Sequence, residues 1–460
     1  MPDKQSRKTF RHRLDEMINK LREQILSGHY SVGDYLPSEM DLSSSYQLSN
    51  NSIRKGLDVL VNEGLIEKIP RVGNRIKAPS EEDQTVIRFG YHPILDAQTE
   101  IPHLLAEFQR KYPHIRVQTV QINNFKGYVR NFLDNQLIDV FTVNNYLFQE
   151  LVEEQALDLL EPQEPFEDMY PFLRRGFESD GGMYAQPFVF SPVVLCYNRE
   201  HFARHQVPEP DSSWTWDDLI HYSSKLAIKN ERFGFYFSLV NANRWVIFLL
   251  QSGAAFEKDR NGRYRVQGTK LLDGIEKVRE ILYTPEVYPL MLSASNADAE
   301  RLFRDEQVSA ILTTYYAMNA LQEVKFEFDV APIPYLHDVN TLLITIGLSI
   351  HKQSKVKTAA KQLVDFLVSE EAQRAIRKKT YTIPAHLPMA QRLEEMEIKR
   401  PSRYQMYREI IPSFRSVTDI NLSLKQLDDV LSEFKLYWSG LRSKESLAKN
   451  LEDVLNRDSE

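Results

Sequence analysis

Between Ser38 and Leu60 the chain reads SEMDLSSSYQLSNNSIRKGLDVL, and few folds accept that spacing. Ser38 stands three residues before Asp41, the interval at which a hydroxyl and an acid reciprocally close a helix start. Leu42 and Tyr46 follow on one face, Leu48 fills a turn, and Ser49 is placed to cap a second helix. In that helix Ile53, Leu57 and Leu60 recur at helical spacing and face inward. The outward face then carries Asn50, Asn51, Ser52, Arg54 and Lys55. Asn50 and Arg54 project together near the N-terminal end, the end a recognition helix offers to the major groove. Upstream, Leu14, Met17, Ile18, Leu21 and Ile25 form a stripe that predicts a first helix from Arg11 to Ser27, with residues 1–10 polar and frayed. Downstream, LIEKIP, RVG and NRIKAP predict a two-stranded wing. Arg71 and Gly73 fall at its tip, where a cation and bare backbone reach phosphate or the minor groove.

Jointly, SGHYSVGDYLPSE (Ser27 to Glu39), SNNSIRKGLDVLVNEGLI (Ser49 to Ile66) and the wing residue Gly73 resemble the GntR family of winged-helix bacterial transcription factors. The resemblance covers residues 1–78. It implies binding to a double-stranded DNA operator through Ser38, Ser49, Asn50, Asn51, Ser52, Arg54, Lys55, Arg71 and Gly73. Met40 and Asn50 stand where the family usually has Arg. Asn pairs with adenine where Arg favours guanine, so a shifted operator preference is expected.

At 460 residues the chain exceeds one ordinary core, so more than one domain is expected. Its net charge of −7 is unevenly spread. Residues 1–78 hold 13 Lys and Arg against 10 Asp and Glu, and the remainder holds 44 against 54. Phosphate would therefore be met by the N-terminal part. Cys196 is the only cysteine, which excludes an intrachain disulfide and a thiolate metal site. No apolar run reaches transmembrane length, and MPDKQSRKTFRHRLDE lacks the apolar core of a signal peptide. The expectation is a cytoplasmic protein without membrane association.

Residues 79–85 are polar and read as a linker. Beyond them strands alternate with helices: VIRFGYH, IPHLLAEFQRKYP, IRVQTVQI, YVRNFLDNQL, IDVFTV. That order predicts an α/β domain with a mainly parallel sheet and ligands beyond the carboxyl ends of its strands. KTAAKQLVDFLVSEEAQRAI reads as one amphipathic helix. His201 and His205 read as a surface helix pair without a third metal ligand, and Glu153 and Glu154 as residues of an exposed helix face. No nucleophile elbow, zinc helix or phosphate loop is present, so neither catalysis nor a cofactor or metal is expected.

AEFQRKYPHIRV, IDVF, YAQPFVFSPVVLCYNREHF with VPEPDSSWTWDDL, APIP, and IGLSIHKQSKVKTAAKQLVDFLVSEEAQ follow one another in an order that resembles ABC-transporter extracellular solute-binding proteins of the sugar-binding type. The resemblance implies a two-lobed α/β domain of the type II periplasmic-binding-protein kind over residues 86–460. The whole is then an α+β multidomain chain. A sugar cleft needs aromatic faces and a few fixed polar groups. By position these are Tyr91, Asn144, Tyr184, Trp245, Tyr315, Tyr316 and Tyr335. Tyr315 and Tyr316 are adjacent at a strand end and point to opposite faces, so at most one lines the cleft. Asp139 reads better as a strand brace. The joint expectation is a dimeric, ligand-responsive regulator, a repressor with a sugar effector. Its alternatives are an amino acid, peptide or polyamine effector, or a ligand-free dimerisation body.

Overall fold

A computed structural model describes residues 4–26, 29–77, 84–122, 128–289, 297–392 and 396–457. Most of the expected linker, residues 79–83, lies outside them.

The N-terminal unit is built on three helices, α1 (Lys4–Leu26), α2 (Glu39–Tyr46) and α3 (Asn50–Asn62). Helix α1 starts seven residues before the apolar stripe predicted it, since nothing between Lys4 and Leu14 breaks a helix. Ser38 and Asp41 form a full capping box, and Gln47 turns the chain in the left-handed region at φ 51°. Ile53, Leu57 and Leu60 meet Met17, Leu21, Leu42, Leu48, Ile66 and Ile76 in a core of their own. The wing is β1 (Ile66–Ile69) antiparallel to β2 (Gly73–Ile76), and Tyr35 bridges to Arg75 alongside it. Gly73 sits at φ 150°, which explains a residue without Cβ there. Arg22 grips the Glu63 carboxylate with two nitrogens, at 2.9 and 2.5 Å, and ties α1 to the end of α3.

The first lobe of the larger unit begins with β3 (Thr85–Tyr91), α4 (Leu95–Thr99), α5 (Ile101–Lys111), β4 (Ile115–Gln121), α6 (Val129–Asp134), β5 (Val140–Asn144) and α7 (Asn145–Glu153). Strands β4 and β5 flank β3 in parallel. Asp139 braces this edge by accepting from the Arg88 backbone and guanidinium and from Ser354 Oγ. A ribbon of β6 (Glu178–Ser179) and β7 (Gly182–Met183) leads into β8 (Gln186–Asn198), thirteen residues without an exposed one.

The second lobe holds α8 (Arg199–Arg204), α9 (Trp216–Leu226), β9 (Phe233–Tyr236), α10 (Ala242–Leu250), α11 (Leu271–Tyr283), α12 (Asp298–Arg304), β10 (Val308–Thr314) and β11 (Phe328–Ala331). The chain returns through β12 (Thr341–Ile350) to α13 (Lys357–Leu367), α14 (Glu370–Lys379), β13 (Ile383–Pro384) and α15 (Leu387–Gln391). It ends with β14 (Phe414–Arg415), α16 (Leu424–Trp438) and α17 (Lys444–Leu455).

Two long strands join the lobes. The first half of β8 pairs with β12, and its second half with β10 and β11. Strand β12 in turn reaches β5. All four pairings are antiparallel, so the sheet is mixed rather than mainly parallel. Chain-order alternation of strands and helices predicts crossovers but not the direction of strands that run between lobes. The β8/β12 register shifts at Ile346/Gly347, where a Cβ on Gly347 would lie 2.8 Å from the Phe177 ring.

Two further expectations are corrected. The long helix from Lys357 is two, because Ser369 leaves the helix and caps α14 through Ala372 N. His201 is not a surface residue: it is fully buried, with Nδ1 3.1 Å from Ser309 Oγ and Nε2 3.1 Å from Glu306. Helix α8 is short and lies on β11, so its inner side has nowhere else to go.

Candidate functional site

The N-terminal unit presents the start of α3. Asn50, Asn51, Arg54 and Lys55 are exposed there, and Arg71 and Gly73 are exposed at the wing. Ser49 accepts from Ser52 N, while the two hydroxyls lie 2.8 Å apart. Ser52 is buried at 7% exposure, so its hydroxyl supports the cap instead of facing outward with its neighbours. Exposed Ser38 is likewise committed to its capping box. Arg54 pairs with Glu39 of α2 at 2.7 Å. A pair this exposed is worth about 0–1 kcal/mol, so Arg54 can exchange Glu39 for another acceptor at little cost. Lys68 and Arg75 are paired with Asp58 and Glu67, whereas Lys55 and Arg71 make no ion pair among the described residues.

Where the lobes meet, a cavity of about 650 Å³ opens over the crossover strands. Ile344 and Ile346 of β12 form its floor. The first lobe contributes His92, Leu95 and Gln98, then Thr142 and Asn144 at the end of β5, then Tyr146 and Glu150 of α7. The second contributes Asn241, Asn243 and Arg244 at the start of α10, Glu300 of α12, and Thr314, Tyr316 and Asn319 after β10. Both lobes therefore aim a helix N-terminus at the cavity: Asn144 caps α7 through Leu147 N, and Asn241 caps α10 through Asn243 N. A smaller hollow of about 350 Å³ adjoins it, shares Asn144, Tyr146 and Asn243, and reaches Trp245 and Leu427 of α16.

Burial governs the electrostatics. It pulls the Arg244 guanidinium below its ordinary value, against an opposing pull from Glu300. It holds the Glu300 carboxyl above the usual range, although Thr313 and Arg244 favour the ionised form. Tyr316 is pushed well up by the same desolvation, and its hydroxyl donates to Ile344 O at 3.0 Å.

Of the seven residues singled out in sequence, Asn144 and Tyr316 line the main cavity, and Trp245 lines the adjoining hollow. Tyr315 turns to the opposite side and donates to Tyr404 O in the core. Tyr91 is buried and donates to Asp96 at 2.8 Å. Tyr184 packs beside a separate core behind α7, and Tyr335 bridges to Thr215, both outside the lining. Sequence reasoning passed over Asn241, Asn243, Arg244 and Glu300. The polar run NANR just before an apolar helix was the available signal for the first three.

Among the described residues no helix is long and apolar enough to cross a membrane, and no cluster of His, Cys, Asp and Glu is placed to hold a metal. Residues 14–76 match bacterial regulatory proteins of the gntR family, and residues 95–374 match bacterial extracellular solute-binding proteins. Similar curated proteins include the probable transcriptional regulator PhnF of Escherichia coli (strain K12), 31% identical over 90 residues, covering 18% of this chain and 37% of that protein. The sn-glycerol-3-phosphate-binding periplasmic protein UgpB of Shigella flexneri serotype 5b is 23% identical over 229 residues, 45% of this chain and 51% of its own. The chain thus spans about half or less of the length of these relatives. Among solved structures, the ABC substrate-binding protein Lmo0181 from Listeria monocytogenes, in complex with cycloalternan, superposes with a TM-score of 0.68 at 22% identity, covering 82% of this chain and 99% of that one. Maltose-bound T. maritima MalE3 gives 0.69 at 17% identity, with 81% and 99% covered. The larger match takes in more than half of the sequence: the chain belongs to the bacterial extracellular solute-binding protein family and carries a gntR-family DNA-binding domain at its N-terminus.

Proposed function

We propose that this protein is a cytoplasmic, sequence-specific transcriptional repressor whose hold on its operator is set by a sugar-type solute bound between the lobes. The observation that carries the reading is the cavity itself. It takes polar groups from both lobes over a crossover sheet, on the same chain as a capped helix offering Asn50, Asn51, Arg54 and Lys55. Solute in the cavity bridges the two lobes and favours their closed arrangement, a hinge movement of the kind that switches ligand receptors. Two copies would set their recognition helices one helical turn apart on a two-fold operator, which makes a homodimer the working form. The bound sugars named for the similar solved structures support the solute class, and the PhnF likeness supports the regulatory role. Placement in the cytoplasm follows from the proposed DNA target.

For solute to release DNA, it must bind the DNA-free form more tightly. A hundredfold preference corresponds to about 2.7 kcal/mol of coupling. The test is thermal unfolding of the full-length protein against sugars, polyols, amino acids and polyamines. A ligand at 100 times its Kd stabilises by about 2.7 kcal/mol, and each hit then enters an operator-release assay. Stabilisation by sugars with release of DNA is the expected result. Stabilisation only by amino acids or polyamines replaces the solute class, and a flat response to all of them leaves the domain as a dimerisation body. No turnover of the solute is expected.

A further inference from the structure

The second lobe's side of the cavity holds a buried charge that no carboxylate among the described residues contacts. Arg244 is 7% exposed. Its Nε donates to Leu312 O at 3.3 Å and its Nη1 to Asn243 O at 3.1 Å, both neutral carbonyls. Nη2 bonds to none of the described residues, and no carboxylate among them lies within ion-pair distance of the guanidinium. Glu300 acts on Arg244 through its field alone, without a hydrogen bond or ion pair to it, and its carboxylate accepts instead from the Thr313 hydroxyl. A guanidinium cannot shed its charge under ordinary conditions, so closing the lobes over it requires a partner from elsewhere.

We propose that the solute held between the lobes is a hydroxylated molecule bearing an anionic group, a phosphomonoester or a carboxylate, and that Arg244 grips this group with two parallel N–H donors. This deepens the reading of the cavity as the effector site and rests on it. Three features converge on the same spot. Arg244 lines the cavity with Nη2 bonded to none of the described residues, and a planar fork suits a two-oxygen anion better than a lone hydroxyl. The nine-residue helices α7 and α10 both start at the cavity wall, and helix starts favour negative charge. The Asn144 amide nitrogen makes no hydrogen bond within the described residues while its oxygen caps α7, so it adds a neutral donor from the opposite lobe.

Glu150 and Glu300 also line the cavity and set the orientation. They accept hydroxyl protons, so the polyol part of the solute lies toward α7 and α12 and the anion toward α10. A cationic solute is disfavoured because it would bring a second positive charge beside a guanidinium that no carboxylate contacts. A neutral sugar would satisfy Arg244 by hydroxyls alone, and that is the outcome the experiment must separate.

Isothermal titration of the full-length protein with glucose 6-phosphate, sn-glycerol 3-phosphate and glucuronate, each beside glucose or glycerol at matched ionic strength, provides the test. At least one anion is expected to bind tenfold or more tightly than its neutral parent, with affinity falling as salt rises. The phosphate esters and glucuronate separate phosphoryl from carboxylate recognition. Arg244→Gln should bring the favoured anion to within about twofold of its neutral parent. Glu300→Gln, which removes the neighbouring negative charge at constant shape, should tighten the anion instead. Equal affinity for parent and anion, or an undiminished preference in Arg244→Gln, overturns the inference. Where Arg244→Gln does not fold, the comparison of each anion with its parent on the unaltered protein still decides. If maltose or another neutral oligosaccharide binds and none of the anions does, the cavity keeps its role and the anion site falls. If nothing in either set binds, the reading of the cavity as an effector site falls, and this inference with it.

Discussion

In the winged domain Asn50, Asn51 and Lys55 stand exposed on a single thirteen-residue helix, whereas in the receptor domain Arg244 and Glu300 are buried in a wall assembled from separate helices. The two arrangements carry different costs. An exposed reader contributes only what it contacts, and the helix beneath is already paid for by Ile53, Leu57 and Leu60. A buried polar residue in the cavity wall is part of the packing as well as a proposed ligand contact, so its loss should disturb both. Substitutions should therefore separate binding from stability cleanly in the first region and poorly in the second.

The strongest way to break that contrast is at Trp245. Its ring meets Phe434 edge-on at 5.7 Å between centroids, and its side chain is 2% exposed at the rim of the smaller hollow. Trp245→Ala should remove about 3–5 kcal/mol from the receptor domain, by transfer and cavity terms together. Differential scanning calorimetry should show the receptor transition lowered and DNA affinity of the ligand-free protein unchanged. A lowered DNA affinity would mean that the two regions fold as one unit.

On the exposed side the expected effect is smaller and purely one of binding. Arg54→Ala should weaken operator binding by about 1–3 kcal/mol, since a base or phosphate contact is lost and only a surface ion pair with Glu39 goes with it. Fluorescence anisotropy with labelled operator reads the loss, and the melting profile should stay in place. Undiminished binding would remove Arg54 from the interface.

These two residues also illustrate what could be read in sequence. Recognition-helix chemistry is legible because its residues are neighbours in the chain and share one periodic pattern. Ser52 is the instructive exception: the pattern puts it outward, but the Ser49 hydroxyl, 2.8 Å from its own in the cap, draws it in. In the receptor domain most elements are legible from their periodicity, while the cavity is not, because its lining runs from His92 to Ile346. Position in the pattern favours aromatic residues as ligand contacts, yet Tyr91 and Tyr315 serve the core through hydrogen bonds to Asp96 and Tyr404. Trp245 and Arg244 are adjacent on α10, about 100° apart around its axis, so the tryptophan meets α16 while the arginine faces the main cavity. Strand direction was equally hidden, since register between β8 and β12 depends on partners some 150 residues apart.

Acid sharpens the comparison from another direction. Burial pulls the His201 pKa down to about 4, with Arg232 adding to the effect, below the ordinary value near 6.5. Between those values the unfolded chain binds more protons than the folded one, so stability of the receptor domain is lost as pH falls from about 6.5 toward 4. Asp139 acts in the same sense. Burial alone would raise its carboxyl, but the bonds from Arg88 and Ser354 prevail and hold it below the usual range, so its contribution is lost only as pH falls through about 4 and below. Melting temperatures of the receptor transition at pH 7, 6 and 5 should decline, and His201→Gln should flatten the decline. An unchanged slope in that variant would assign the acid response to His351 and His386, whose imidazoles burial also holds below their ordinary value.

The smallest effect is expected where the lobes are joined on their outer side. Glu153, on α7 of the first lobe, accepts the Leu424 backbone N–H through both carboxylate oxygens, at 3.1 and 3.0 Å. Leu424 opens α16, which is anchored to the second lobe by Trp438 Nε1 donating to Ile275 O at 3.1 Å. A carboxylate at a helix start is worth about 0.3–1 kcal/mol when solvent-exposed, too little to hold a fold and enough to bias a hinge. Glu153→Gln keeps one acceptor and loses the charge, so the lobes should part more readily. Stopped-flow displacement of bound solute should then show release faster by about two- to fivefold, the kinetic equivalent of that energy, with the melting temperature of the ligand-free protein nearly unmoved. Unchanged release would mean that α16 follows the first lobe through the movement, and that the lobes separate elsewhere, along β8 and β12.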